Sequence, residues 1–151
     1  MFGKKHDYTP LENYSIKDLL PHRDPFLFID RIIEASPKHI IAEQTFLAST
    51  DFFKGHFPDY PIVPGVILVE TMAQCGGAGL IAAGVLRQGD RFFLASVHNA
   101  KFRRPVFPNE LLRIEVDVHK CTPRLVKQSG RILIKSELAV EAEWVCIVKD
   151  K

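Results

Sequence analysis

Two residues in this chain have side chains suited to proton transfer, and they lie 14 positions apart: His56 and Glu70. An imidazole can take a proton near neutral pH and a carboxyl can give one, so the pair suits a reaction in which base and acid act on one substrate. The stretch that carries them, HFPDYPIVPGVILVETMAQ over residues 56–74, sets three prolines and a glycine before the most apolar run in the sequence. Pro58, Pro61 and Pro64 exclude a regular helix or a central strand and leave His56 on a stiff, extended loop. Glu70 is the one charged residue of the run 66–86. Burial disfavours an ionised carboxylate, so an acid in such a helix tends towards the protonated form that can donate. A structural pairing of both residues with near neighbours is the competing reading. Gln74, at i+4 from Glu70, is placed either to orient that carboxyl or to make an ordinary helix contact. At the helix start the Gly65 and Val66 N–H groups point outward with the positive end of the dipole, which makes them candidate donors to a developing oxyanion. The missing Cβ of Gly65 lets a ligand approach the backbone.

These residues need elements to position them. Ser15 and Asp18 in SIKDLL have the spacing of a capping box, so a short helix is expected over 15–20, ended by Pro21. The apolar run 26–33 and the segment 39–48 read as strands paired as a hairpin around Ser36-Pro37. The run 66–86 reads as one buried helix, apolar nearly all round. Its glycines Gly76, Gly77, Gly79 and Gly84 lower helix propensity by about 0.8 to 1 kcal/mol each, which close packing would offset. Beyond Gln88-Gly89-Asp90 everything reads as strand. RFFLASVHNAKF is the first, and LLRIEVDVHK alternates most clearly, with Leu112, Ile114, Val116 and Val118 on one face. LVKQSGRILIK and AVEAEWVCIV complete the set after a turn at Thr122-Pro123-Arg124. The simplest architecture that buries such a helix is α+β, one antiparallel sheet wrapped around one central helix.

The 151 residues suffice for one domain with a sizeable core, and no repeat or linker divides 1–151. Twenty basic residues against 18 acidic ones leave no global field to argue for nucleic acid. Cys75, Cys121 and Cys146 form no CxxC pair, and their odd number fits free, buried thiols in a reducing compartment. MFGKKHDYTPLENYS has no apolar segment after its lysines, so no secretory signal is expected and a cytoplasmic location is. Residues 66–86 are long enough to span a membrane, but Glu70 and four glycines argue against it. His22, His39, His98 and His119 show no metal-ligand spacing, and no metal site is expected.

The motif HFPDYPIVPGVILVETMAQ, preceded by LLPHRDPFLFIDRI and followed by NAKFRRPVFPNELL, resembles the bacterial 3-hydroxyacyl-[acyl-carrier-protein] dehydratases of fatty acid synthesis, the FabZ type. The likeness runs from about Leu19 to Val148. It implies a hot-dog fold, a curved antiparallel sheet around a long helix, and a lyase that eliminates water from 3-hydroxyacyl thioesters to give trans-2-enoyl thioesters. His56 and Glu70 match the family's catalytic residues. The related FabA type carries Asp at the acid position, so Glu70 favours FabZ. The resemblance also implies homodimers, usually trimers of dimers, in which the histidine of one protomer works with the acid of its partner. Departures from the commonest pattern at Asp24, Asp59-Tyr60, His98, Asn109-Glu110 and Lys135-Ser136 touch none of His56, Gly65 or Glu70.

For such a reaction His56 would take the C2 proton and Glu70 would protonate the leaving hydroxyl; His56 acting on both protons, with Glu70 activating a water, is the other arrangement. No cofactor is implied, since the substrate rides on the phosphopantetheine of acyl carrier protein. Lys101, Arg103 and Arg104 form the densest basic cluster, with Lys54 and Arg87 as weaker additions. The cluster is either a solvated strand end or a docking patch for that acidic carrier. Phe52, Phe53 and Phe57 either fill the core or line an acyl tunnel. A hot-dog thioesterase, or a hot-dog domain that binds acyl chains without catalysis, are the alternative functions.

Overall fold

The computed structural model describes residues 11–151, apart from the side chain of Glu12. Most of the N-terminal segment read for a secretory signal, residues 1–10, lies outside the described residues. The expected capping box is present: the Ser15 side chain accepts from the helix start and Asp18 reaches back to the Ser15 N–H, framing α1 (Ile16–Leu19). Strands β1 (Arg31–Ala35) and β2 (His39–Thr45) pair antiparallel, and the Ser36 N–H and hydroxyl both donate to the His39 carbonyl at their turn.

Residues 26–30 do not continue β1, contrary to the strand expected over 26–33. The Phe28 N–H donates to the Gln74 side-chain oxygen at 2.8 Å, and the Phe26 carbonyl accepts from the Gln74 amide at 3.2 Å. These backbone groups are thus satisfied by a helix side chain, and a neighbouring strand is not needed. A 3₁₀ turn (Asp51–Lys54), which the proline-rich segment concealed, then leads to α2 (Gly65–Ala82).

The remaining strands are β3 (Arg91–Phe102), β4 (Leu111–Cys121), β5 (Leu125–Ile134) and β6 (Glu137–Lys149). All six form one antiparallel sheet in the order β1-β2-β4-β5-β6-β3. Side chains alternate across it as the pleat requires: Leu112, Ile114, Val116 and Val118 are buried, as are Val140, Ala142, Trp144 and Cys146, while their sequence neighbours face outward. Helix α2 touches every one of the six strands, the arrangement of a hot-dog fold. That enclosure explains its hydropathy. The helix is long and apolar enough to cross a membrane, yet 72% of it is buried inside the protein.

Helix and sheet approach so closely because the contact face is glycine. A Cβ on Gly76 would overlap the Gln128 side-chain amide, and one on Gly79 would overlap Ile40 of β2. Gly84 plays a different part from the interior helix position expected of it. Its φ is +72°, its N–H donates to Ile81, and the Val85 N–H reaches back to Leu80 at 2.9 Å. This is a Schellman stop, and it ends α2 at Ala82, four residues before the end expected from the apolar run. Gly79→Ala is expected to destabilise the fold by about 1–3 kcal/mol through overpacking, outweighing its helix-propensity gain of about 1 kcal/mol. Urea denaturation of Gly79→Ala, Ile40→Ala and the double variant checks this: the double variant should lose clearly less stability than the sum of the singles.

Candidate active site

Glu70 lies in the second turn of α2, with its side chain 19% exposed. It is half-buried at the edge of the core rather than sealed within it. The Gln74 amide donates to Glu70 Oε1 at 3.1 Å, so the contact expected from the i+4 spacing is made. Gln74 itself is buried and fully used, since the same amide also donates to the Phe26 carbonyl and its oxygen accepts from Phe28. One glutamine therefore ties the carboxyl to the backbone of 26–28. Sequence reasoning missed a further neighbour: His22 Nε2 stands 3.6 Å from the same Oε1. No spacing in the sequence relates His22 to Glu70; it lies four residues before Phe26, whose carbonyl Gln74 holds.

His56 follows the 3₁₀ turn, with its N–H donated to Phe52 at 2.9 Å. Its ring Nδ1 lies 3.1 Å from the Ile62 carbonyl, while the Ile62 N–H donates back to the His56 carbonyl at 3.1 Å. A carbonyl can only accept, so Nδ1 carries the proton and Nε2 keeps its lone pair. The ring stacks on Phe57 at 4.4 Å between centroids, and the loop is tied down by the Val63 N–H donating to Val106. Phe26, Phe28, Phe46, Phe52 and Phe53 form a continuous run of rings with successive centroids 4.7 to 5.7 Å apart, linking the Gln74 tie to the turn that carries His56. Phe53 is buried and Phe52 packs on the core, whereas Phe57 is exposed beside His56. No hydrogen bond or ion pair among the described residues joins His56 to Glu70.

At the start of α2 the Gly65 and Val66 N–H groups make no hydrogen bond to protein among the described residues, and Val66 is exposed. The face of Gly65 left open by the missing Cβ is covered in this chain by the Phe102 ring, which would lie 2.9 Å from such an atom. Phe102 is itself half exposed at the end of the edge strand β3.

Comparison with known proteins places the chain in a family. Residues 20–148 match the family model of the FabA-like domain. The chain belongs to the FabA-like family. Among its relatives, the 3-hydroxyacyl-[acyl-carrier-protein] dehydratase FabZ of Desulforamulus reducens is 39% identical over 142 residues, covering 93% of this chain and 99% of that protein. Of solved structures, the dehydratase heterocomplex ApeI:P from Xenorhabdus doucetiae matches with a TM-score of 0.76 at 16% identity, over 90% of this chain and 91% of that one. A hypothetical thioesterase from Streptococcus pneumoniae, solved with coenzyme A, matches with a TM-score of 0.59 at 12% identity, over 80% and 86%. Both likenesses are of fold.

Elsewhere on this FabA-like chain, the basic cluster at the end of β3 is largely paired. Arg103 contacts Glu141 at 2.9 Å and holds that carboxyl below the usual carboxylate range. Arg104 contacts Glu110 at 2.7 Å and approaches Glu137, while Lys101 sits opposite Glu141 across the β3–β6 pairing. Lys54 pairs with Asp51. The three cysteines are free. Burial pushes the Cys75 thiol up and the Cys146 thiol up to about 12. No group of three His, Cys, Asp or Glu side chains suited to a metal ion occurs among the described residues.

The Gln74 tie yields a stability prediction. Gln74→Leu keeps the volume but leaves the Phe28 N–H and the Phe26 carbonyl without partners, at about 1–3 kcal/mol for each group left buried and unsatisfied. Chemical denaturation should show a loss of about 2 kcal/mol or more for this variant, with a much smaller loss for Gln74→Glu at a pH where its carboxyl is protonated.

Proposed function

We infer that this chain is a 3-hydroxyacyl-[acyl-carrier-protein] dehydratase of fatty acid biosynthesis, a lyase that converts 3-hydroxyacyl thioesters to trans-2-enoyl thioesters. The observation that carries the mechanism is the tautomer of His56: with Nδ1–H committed to the Ile62 carbonyl, Nε2 is a fixed base on a stiff loop. In the proposed step Nε2 takes the proton from C2. Glu70, protonated, gives its proton to the C3 hydroxyl as the C3–O bond breaks. The C2–H electron pair becomes the C2=C3 double bond and water leaves. His56 ends as the cation and Glu70 as the anion, so the site stays neutral overall, and a proton returned from His56 through water to Glu70 resets it.

While the C2–H bond breaks, charge builds on the thioester oxygen. The unengaged Gly65 and Val66 N–H groups at the positive end of α2 are the proposed donors to it. Phe102 must swing from the Gly65 face for a ligand to come that close, and its exposed position allows this. Gln74 keeps the Glu70 carboxyl in one orientation.

The proposed working unit is a homodimer, assembled further as a trimer of dimers, with each site taking His56 from one protomer and Glu70 from the other. Two features support it: no hydrogen bond or ion pair among the described residues joins His56 to Glu70, and the edge strand β3 leaves Phe93, Leu94, Val97 and Phe102 exposed along an unpaired side. Acyl carrier protein is the proposed carrier of the substrate through its phosphopantetheine. Lys101, Arg103 and Arg104 are its proposed docking patch, with the partnered acids Glu141 and Glu110 to be displaced or shared on docking. The whole chain acts as one domain in the cytoplasm and requires no cofactor of its own in this reading.

Incubation with a 3-hydroxyacyl pantetheine thioester tests the reaction, with the conjugated enoyl product read by absorbance and free thiol measured in parallel. Enoyl product without thiol release is expected; thiol release without enoyl product would mean a thioesterase. His56→Ala and Glu70→Gln should each lower kcat by about 10²-fold or more while thermal melting is unchanged. Turnover near that of the parent enzyme by either variant removes that residue from the mechanism.

A further inference from the structure

Resting on the reading of Glu70 as the catalytic acid, we propose that His22 is a positioning residue that determines which oxygen of Glu70 carries the transferable proton. The two side chains nearest the carboxyl both address the same atom. Gln74 donates to Oε1 at 3.1 Å, and His22 Nε2 lies 3.6 Å from Oε1. Oε2 accepts no hydrogen bond among the described residues. With Gln74 donating to Oε1 and His22 Nε2 facing that same atom, Oε1 is kept as the carbonyl-type acceptor, which leaves the proton on the other oxygen. Oε2 is therefore the oxygen that faces the leaving hydroxyl.

The surroundings of His22 fit this role and no other evident one. Its side chain is 19% exposed, equal to that of Glu70, so the two share one partly desolvated niche between the segment after α1 and the second turn of α2. Its Nδ1 is buried and has no hydrogen-bond partner among the described residues. A proton there would be a buried N–H with no acceptor, the more costly arrangement; on Nε2 it points towards Glu70. The tautomer that avoids the orphaned N–H is thus the one that supplies the donor. Position 22 also has independent anchorage: Arg23 donates to the Leu20, His22 and Lys17 carbonyls, which fixes the backbone that presents the ring. The 3.6 Å separation is longer than a hydrogen bond, and in the proposed role it closes when a substrate draws the carboxyl into line.

Steady-state kinetics on a 3-hydroxyacyl pantetheine thioester test this in the full-length protein, using His22→Ala, His22→Gln, Glu70→Gln and the double variant His22→Ala/Glu70→Gln. His22→Ala should lower kcat about tenfold or more with KM changed less than about threefold, because the interaction orients the acid rather than binding substrate. His22→Gln, which returns an amide N–H near the Nε2 position, should recover most of that loss. The double variant should be no slower than Glu70→Gln alone, since His22 acts only through Glu70. The proposal is overturned if kcat of His22→Ala stays within about threefold of the parent enzyme, if its loss lies mainly in KM, or if the double variant shows the two losses multiplied. Should His22→Ala fail to fold, the glutamine variant decides: activity within about threefold supports the role, and a tenfold loss in a folded protein overturns it. An active Glu70→Gln enzyme would overturn instead the assignment of Glu70 itself.

Discussion

The contact between the glycine face of α2 and the sheet sets the geometry of everything else. Gly76 lies against the Gln128 amide and Gly79 against Ile40, at separations that leave no room for a methyl group. These close contacts let the helix sink into the sheet, where it touches all six strands. Depth in turn fixes where the helix emerges. Its C-terminal two-thirds is buried, while its first turns approach the surface and bring Val66 into solvent and Glu70 to the margin of the core. A carboxyl at that margin can be held by protein groups on one side and meet substrate on the other.

Around this margin a small number of polar contacts does several jobs at once. The Gln74 amide satisfies two backbone groups of the segment 26–28 and orients Glu70. That segment lies beside α2 instead of extending β1, and this brings His22 to the carboxyl. Its phenylalanines begin the run of aromatic rings that ends at the 3₁₀ turn before His56. Packed rings thus run within one chain from the segment beside Glu70 to the turn that precedes His56. The exposed ion pair of Arg103 with Glu141 lies outside this network and contributes little to stability, as exposed pairs generally do, whereas the Arg104–Glu110 pair is half-buried.

Much of this was legible in the sequence because it is local or periodic. Alternation marked β4 and β6, the Ser15/Asp18 spacing marked α1, and three prolines marked the loop that carries His56. The i+4 spacing put Gln74 beside Glu70. What could not be read depends on partners distant in the chain. The run 26–30 has the apolar content of a strand, but the Phe28 N–H and the Phe26 carbonyl bond to a side chain 46 and 48 residues away, and only Asp30 still donates to β2, at Glu43. His22 shows no spacing relation to Glu70, and only the lie of that same segment joins them. Gly84 was ambiguous for a different reason: a glycine inside an apolar run signals either close packing or a helix stop, and its φ of +72° decides for the stop. Gly65 was read as a door for a ligand, and the structure adds the Phe102 ring at that door.

In the proposed dimer one catalytic site draws His56 from one protomer and Glu70 from another. Mixing the inactive His56→Ala and Glu70→Gln proteins, with subunit exchange verified by native mass spectrometry, tests this shared site. Random re-pairing makes about half of the dimers mixed, and each mixed dimer holds one intact site of two, so recovery of about a quarter of the parent activity is expected. Activity that stays at the level of the separate variants after complete exchange would contradict the claim and place both residues in the site of a single chain.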